Sequence, residues 1–365
     1  MMTFNTTDPT LLKTKQHFEI LDGLRGVAAL CVVIFHFMEM VYLPDKNFIA
    51  HGFLAVDFFF CLSGFVIAYA YDDRMGRMGI TEFFKSRMIR LHPLVILGSV
   101  LGLITFLFDP FGGQADAYSI GKVVLIFLAS VFLIPFPMME ERAFNNFGLN
   151  APSWSLFWEY VANIVYAFIL YRTPRRILWV LFCISAITLA VVSYREGGLL
   201  GGWNKDSFWD GGARILFSFL AGILIYRANL ILKTKIGFIG LAVLLILPFI
   251  MPDSKLNWLT QLLVVLLYFP LLVSLGAGAK LSKGLKKLCN FSGKISYPLY
   301  MTHYAFIWMF GNYYQAYKPN TQQLTLVIIA GTILLLGFGY LAMVIFDTPV
   351  RKFLKRKRKT EQFRS

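Results

Sequence analysis

Charge is what this sequence has least of. Only 15% of its 365 residues are Asp, Glu, Lys or Arg, while 57% are apolar. A soluble domain carries roughly a quarter charged residues, so an ordinary water-soluble fold is excluded. Cysteine is scarce as well. Cys31, Cys61, Cys183 and Cys289 fall in or beside apolar stretches and form no Cys-x-x-Cys or Cys/His cluster, which argues against structural disulfides and zinc. Gly-rich phosphate loops, zinc motifs and a nucleophile-elbow sequence are missing too, so no metal and no permanently bound cofactor is expected. The first 23 residues are polar, and the apolar stretch after them is long enough to span, so no cleavable signal peptide is read.

What is present is a series of continuous apolar blocks. Ten read as spans: 24–43, 53–71, 94–108, 154–171, 177–193, 211–226, 236–250, 257–276, 297–316 and 324–346. Crossing the hydrocarbon takes about 20 apolar residues in a helix, with roughly 17 as the lower limit. In lipid only helices and closed barrels satisfy their own backbone, and these blocks do not alternate as barrel strands do. An eleventh block, 122–137, starts at Lys122 and ends in Pro135 and Pro137. If it does not cross, and the N-terminus is cytosolic, 26 of the 35 Lys and Arg fall inside and 7 outside, with Arg25 and Arg214 in spans. If it crosses, the basic tail RKFLKRKRKTEQFRS is placed outside, against the positive-inside rule. The expectation is therefore an all-α polytopic membrane helix bundle of about ten transmembrane helices with both termini cytosolic. Segment 122–137 would be re-entrant or lie on the outer surface. The chain divides into a cytosolic segment 1–23, a membrane domain 24–346 and a basic tail 347–365. The net charge of +15 is then mostly a cytosolic anchor at anionic lipid, and no nucleic-acid partner is implied.

Ionisable groups inside the membrane cost at least about 2.5–3.5 kcal/mol each and need a reason. They are Arg25, His36, Glu39, Asp57, Glu159, Arg214 and His303. Arg25 and Arg214 lie near span ends, where snorkelling explains them. His36 lies eleven residues past Arg25, roughly 16 Å deeper along a helix. Glu39 shares its face at i+3 and can accept a hydrogen bond from the imidazole, which fixes the tautomer and raises basicity. Asp57 sits among phenylalanines in GFLAVDFFFCLSGF and must find a partner. Glu159 and Asn163 form a polar stripe on one span. His303 lies about two turns inside the cytosolic end of another. Arg87 and Arg90, one turn apart in SRMIRLHP, present two guanidinium forks on a cytosolic helix end and suit a polyphosphate.

In order along the chain, these pieces resemble the acyltransferase-3 family of membrane acyltransferases. LDGLRGVAALCVVIFH carries the Arg-x10-His pattern through Arg25 and His36. GFLAVDFFFCLSGF carries Gly52, Asp57, Phe58, Phe59 and Ser63-Gly64-Phe65. Arg87 and Arg90 form Arg-x-x-Arg, PSWSLFWEY carries Trp154, Ser155, Leu156 and Glu159, and ISYPLYMTH carries Ser296, Tyr297, Tyr300 and His303. The resemblance covers about residues 20–352. His92 stands where a tyrosine is common, and Asp347 replaces a usual glutamate. Some relatives carry an additional hydrolase-like domain, and this sequence resembles the stand-alone form.

The resemblance implies an enzyme of the bacterial cytoplasmic (inner) membrane. It would move an acetyl or other short acyl group from cytosolic acyl-CoA to a hydroxyl of an extracytoplasmic acceptor, a surface or exported polysaccharide sugar. Acylation of a small molecule or lipid is the alternative within the class, and a transporter of a glycan precursor the alternative outside it. The implied donor-binding residues are Arg25, Arg87, Arg90 and His303. The implied catalytic residues are His36, Glu39, Asp57 and Glu159. His36 would act as general base or transient acyl carrier, with Glu39 or Asp57 orienting it.

Overall fold

The computed structural model describes residues 17–362, so most of the expected N-terminal segment and the last three residues of the basic tail lie outside the described residues. Fourteen α-helices follow one another: α1 (Glu19–Glu39), α2 (Ala55–Tyr71), α3 (Met75–Met78), α4 (Ile80–Leu107), α5 (Ile120–Val131), α6 (Ser153–Phe168), α7 (Arg175–Glu196), α8 (Phe208–Arg227), α9 (Phe238–Ile246), α10 (Asn257–Leu263), α11 (Phe269–Gly278), α12 (Lys286–Tyr317), α13 (Thr321–Leu341) and α14 (Thr348–Gln362). Among the described residues there is no β-strand, only isolated bridges. Each of the ten expected spans overlaps a helical segment, although 24–43 runs past the end of α1 at Glu39, and the chain is an all-α polytopic membrane bundle.

Local chemistry explains several boundaries. Glu19 and Asp22 sit in the first turn of α1, where the helix dipole favours negative charge. α7 stops at Gly197, whose φ of +70° is the left-handed cap that glycine supplies. α13 opens on a reciprocal Asn320–Gln323 capping box. Two helices continue through wider π turns, at Val264–Tyr268 and Ala342–Asp347, so α10 runs into α11 and α13 into α14. The basic tail is thus helical and continuous with the last apolar helix through Gln362.

Among the described residues, seven helices are long and apolar enough to cross a bilayer by length and composition. Three segments read as spans depart from that measure. α6 has 16 residues, and Phe238–Ile250 is shorter still. α12 is long but more polar: Tyr297 and Tyr300 line one cavity, Asn312 another, and His303 is buried in the bundle. α5 has 12 residues, about 18 Å of helix against about 30 Å of hydrocarbon, and like Phe238–Ile250 falls short of the full thickness.

Burial separates inner from outer helices. The apolar window of α8 is 78% buried, whereas those of α7 and of Thr321–Arg358 are 22% buried. Exposed apolar side chains such as Ile184, Ile187, Val191, Leu326, Ile329 and Ile333 line these outer helices and mark the lipid face. Inside, α1 packs along α12, α2 along α8, and α4 along α12. The α2–α8 seam is close because a side chain at Gly64 would fall on the Phe219 carbonyl, and one at Gly222 on the Cys61 carbonyl.

Candidate functional site

α1, α4 and α12 bring sequence-distant residues together at their N-terminal ends. There a cavity of ≈ 120 Å³ is lined by Arg25 from α1, Arg87 and Arg90 from α4, Ser63 from α2, Glu159 from α6 and Tyr297 from α12. Arg25 donates from Nε to Ser296 Oγ (2.9 Å) and from Nη2 to the Gly293 carbonyl (2.5 Å), and lies 3.1 Å from Asp22. It is therefore held against α12 and does not snorkel. Arg87 is buried, and its Nη2 donates to Glu159 Oε1 at 2.7 Å. Ser63 Oγ donates to the same carboxylate oxygen at 3.0 Å. Arg90 makes no hydrogen bond or ion pair among the described residues, yet it lines the cavity. The two arginines of Arg-x-x-Arg are thus unequal, one fork tied to a carboxylate and the other open. Arg87 Nε is buried and also lacks a partner. Three guanidinium groups against Glu159 and the peripheral Asp22 leave net positive charge, with donors free for an anion.

Further along α1 is a second group. His36 Nδ1 is hydrogen-bonded to Glu39 Oε1, one turn on. A carboxylate only accepts, so Nδ1 carries the proton and Nε2 keeps its lone pair. Tyr304 of α12 packs edge-on against His36, with centroids 4.7 Å apart, and its hydroxyl also reaches Glu39. His303 stacks on His36 at 5.3 Å with the rings 28° apart. His303 Nδ1 lies 3.1 Å from the Leu299 carbonyl and 2.9 Å from the Tyr300 carbonyl, so it too donates, and its Nε2 is buried without a partner. The free lone pair on His36 Nε2 can take a proton or attack a carbonyl carbon, with the His303 ring stacked beside it.

These positions redistribute the expected residues. His36 and Glu39 are together. His303 is with them and not in the arginine cavity, where it was expected to help bind the donor. Asp57 does not orient His36: it forms a bidentate pair with Arg214, Nε to Oδ1 at 3.1 Å and Nη2 to Oδ2 at 2.6 Å. Both side chains are at most 1% exposed, so snorkelling of Arg214 is also corrected. Arg214 is completed by the Gly201 carbonyl at 2.8 Å and lies over the Trp154 ring. Glu159 belongs to the arginine cavity through Arg87. Tyr304 went unnoticed in the sequence, although it adjoins His303. The Asp57–Arg214 partnership was signalled by two opposite charges in different spans, but no local spacing connects them.

At the other end of α4 and α12 is a polar cavity of ≈ 440 Å³, lined among others by Asp109, Gln114, Glu141, Arg142, Trp308 and Asn312. Burial pushes the Arg142 guanidinium down to about 10, partly opposed by Glu141, so it stays charged at neutral pH. Tyr118 donates to Glu141 Oε2 at 2.6 Å, and burial with this bond to a carboxylate pushes the phenol up. No cluster of three or more metal-ligating side chains occurs among the described residues.

A family model described as an acyltransferase domain matches residues 18–344. The chain is 35% identical to Protein 2 in the picA locus of Rhizobium radiobacter, over 49% of this chain and 95% of that protein. It is 25% identical to the O-acetyltransferase OatA of Staphylococcus aureus, over 91% of this chain and 57% of that one. A putative O-acetyltransferase of the same species is 26% identical, over 94% of this chain and 59% of its own length. The chain thus spans under three-fifths of the length of these two relatives. No solved structure matches it.

Proposed function

The chain belongs to the acyltransferase-3 family, and from that premise we propose that it transfers an acetyl or other short acyl group from cytosolic acyl-CoA to an extracytoplasmic hydroxyl. The acceptor we propose is a sugar of a surface or exported polysaccharide, and the membrane the bacterial inner membrane. One observation carries the reading. Along α1 and α12, the cavity of free guanidinium donors comes first and the His36–Glu39 pair follows, eleven residues on from Arg25. That is roughly 16 Å of helix, a reach suited to the extended pantetheine arm between the phosphates of CoA and its thioester.

The fit to the donor rests on charge and open donors. Arg90 and Arg87 Nε offer charge-assisted contacts to pyrophosphate, and Glu159 with Ser63 holds Arg87 in place for them. At the other end of the arm, His36 Nε2 takes the proton of the acceptor hydroxyl as its oxygen bonds to the thioester carbonyl carbon. The C–S bond then breaks, and the CoA thiolate recovers the proton from the imidazolium. Glu39 keeps Nδ1 protonated throughout and stabilises that imidazolium. An acyl group resting briefly on Nε2 uses the same lone pair and the same partner.

The test uses full-length protein in nanodiscs with acetyl-CoA. Arg90→Ala removes a phosphate contact without unpairing Glu159, and should weaken acetyl-CoA binding by about 10- to 150-fold, the equivalent of roughly 1.5–3 kcal/mol. His36→Gln should bind acetyl-CoA normally and lose transfer by about 10²–10⁴-fold. Substantial transfer by His36→Gln to an acceptor that the wild type acylates sinks the mechanism.

A further inference from the structure

The ≈ 440 Å³ cavity at the C-terminal ends of α4 and α12 lies away from the arginine cavity and shares no lining residue with it. Two of its lining residues hold buried polar atoms without a hydrogen-bond partner: the Trp308 Nε1–H, a donor, and Glu141 Oε1, an acceptor. Buried polar atoms are rarely left unpaired, so each needs an explanation. The surrounding groups are already committed. Glu141 Oε2 accepts from Tyr118, Arg142 donates to the Gly148 carbonyl at 2.5 Å, and Asn312 donates to Asp109 Oδ2 at 2.7 Å and to the Gly112 carbonyl at 2.8 Å. The wall is therefore largely pre-organised, with a buried donor and a buried acceptor to spare beside the exposed amides of Gln114 and Gln315. Hydroxyl groups can satisfy either one, because a hydroxyl oxygen accepts while its proton is donated.

Charge narrows the ligand further. Two carboxylates, Asp109 and Glu141, face one guanidinium, Arg142, so an anionic ligand meets net repulsion while a neutral polyol does not. Rings connect the cavity to the reacting histidine. Trp308 packs on Tyr304 at 5.4 Å between centroids, and Tyr304 on His36 at 4.7 Å, so the Trp308 and His36 rings are at most about 10 Å apart. We propose that this cavity binds the acceptor, and that it takes an uncharged sugar unit whose hydroxyls meet Glu141 Oε1 and Trp308 Nε1, in preference to a uronic-acid unit. The inference rests on the reading of His36 as the reacting group and adds to it a place and a selectivity for the acceptor.

Saturation-transfer NMR on the full chain in nanodiscs tests this without requiring turnover. The probes are methyl β-glucoside, methyl N-acetyl-β-glucosaminide and methyl β-glucuronide. At least one neutral glycoside should bind the wild type, and the uronide at least tenfold more weakly. Glu141→Gln and Trp308→Phe should each weaken the neutral glycoside at least fivefold while acetyl-CoA affinity stays within twofold. The proposal is overturned by no binding of either neutral probe, by uronide binding of equal strength, or by both variants binding as the wild type does. Glycoside binding as expected in a chain that fails to bind acetyl-CoA supports this site and sinks the donor reading alone.

Discussion

At the scale of single residues, the strongest constraint is the Asp57–Arg214 pair, bidentate and closed to solvent. Taking one partner away strands a charge in a low-dielectric interior, which typically costs about 3–5 kcal/mol, whereas replacing both with apolar side chains of similar volume is far milder. Asp57→Leu and Arg214→Met should each sharply lower the apparent Tm in detergent, and the double substitution should recover most of the loss. Single variants that melt with the wild type would contradict the pairing. The same scale shows what a sequence can reveal. His36 and Glu39 were legible because a helix puts i and i+3 on one face. Arg25 and Ser296 lie 271 residues apart, and nothing local says that they touch.

At the scale of elements, the α2–α8 seam depends on two glycines whose missing side chains let backbones meet. Gly222→Ala puts a methyl group on the Cys61 carbonyl, and overpacking of this kind costs about 1–3 kcal/mol. Gly337, in α13, has nothing within 4 Å of where its side chain would be, so Gly337→Ala should be neutral or slightly stabilising by the usual glycine-to-alanine gain in a helix. Thermal unfolding of the two variants side by side checks the contrast, and equal stabilities would refute it. Helix positions were readable from apolar run length, because lipid rewards an unbroken run. The interior helices were harder. α12 carries its polar groups inward, and its sequence alone does not say which neighbour receives them. The π turn at Ala342–Asp347 was not readable either, so the basic tail looked like an appendage when its described part continues the last apolar helix.

At the scale of the whole molecule, the proposed orientation follows from the distribution of Lys and Arg. Single cysteines at Ser282 and Lys357, in a cysteine-free background, should resist membrane-impermeant thiol reagents in intact cells. Cysteines at Asp45 and Ser254 should label. All four positions are exposed, whereas the neighbouring Asn47 is buried and a poor reporter. Labelling at Lys357 without permeabilisation would reverse the orientation and separate the arginine cavity from cytosolic acyl-CoA. The separation of sites into two ends of α4 and α12 is a global property. Asp109, Glu141, Arg142, Trp308 and Asn312 come from three stretches of chain, and their common cavity exists only once the bundle is assembled.

The Asp57–Arg214 pair also bears on how the chain is made. Asp57 is translated 157 residues before its partner. At ordinary synthesis rates of about 5–20 residues per second, the nascent second span waits roughly 8–30 s for its counter-charge. During that interval it has either to linger beside the insertion machinery or to borrow a temporary polar neighbour. A ribosome stalled before α8 therefore leaves behind a fragment whose membrane-embedded aspartate has no counter-charge.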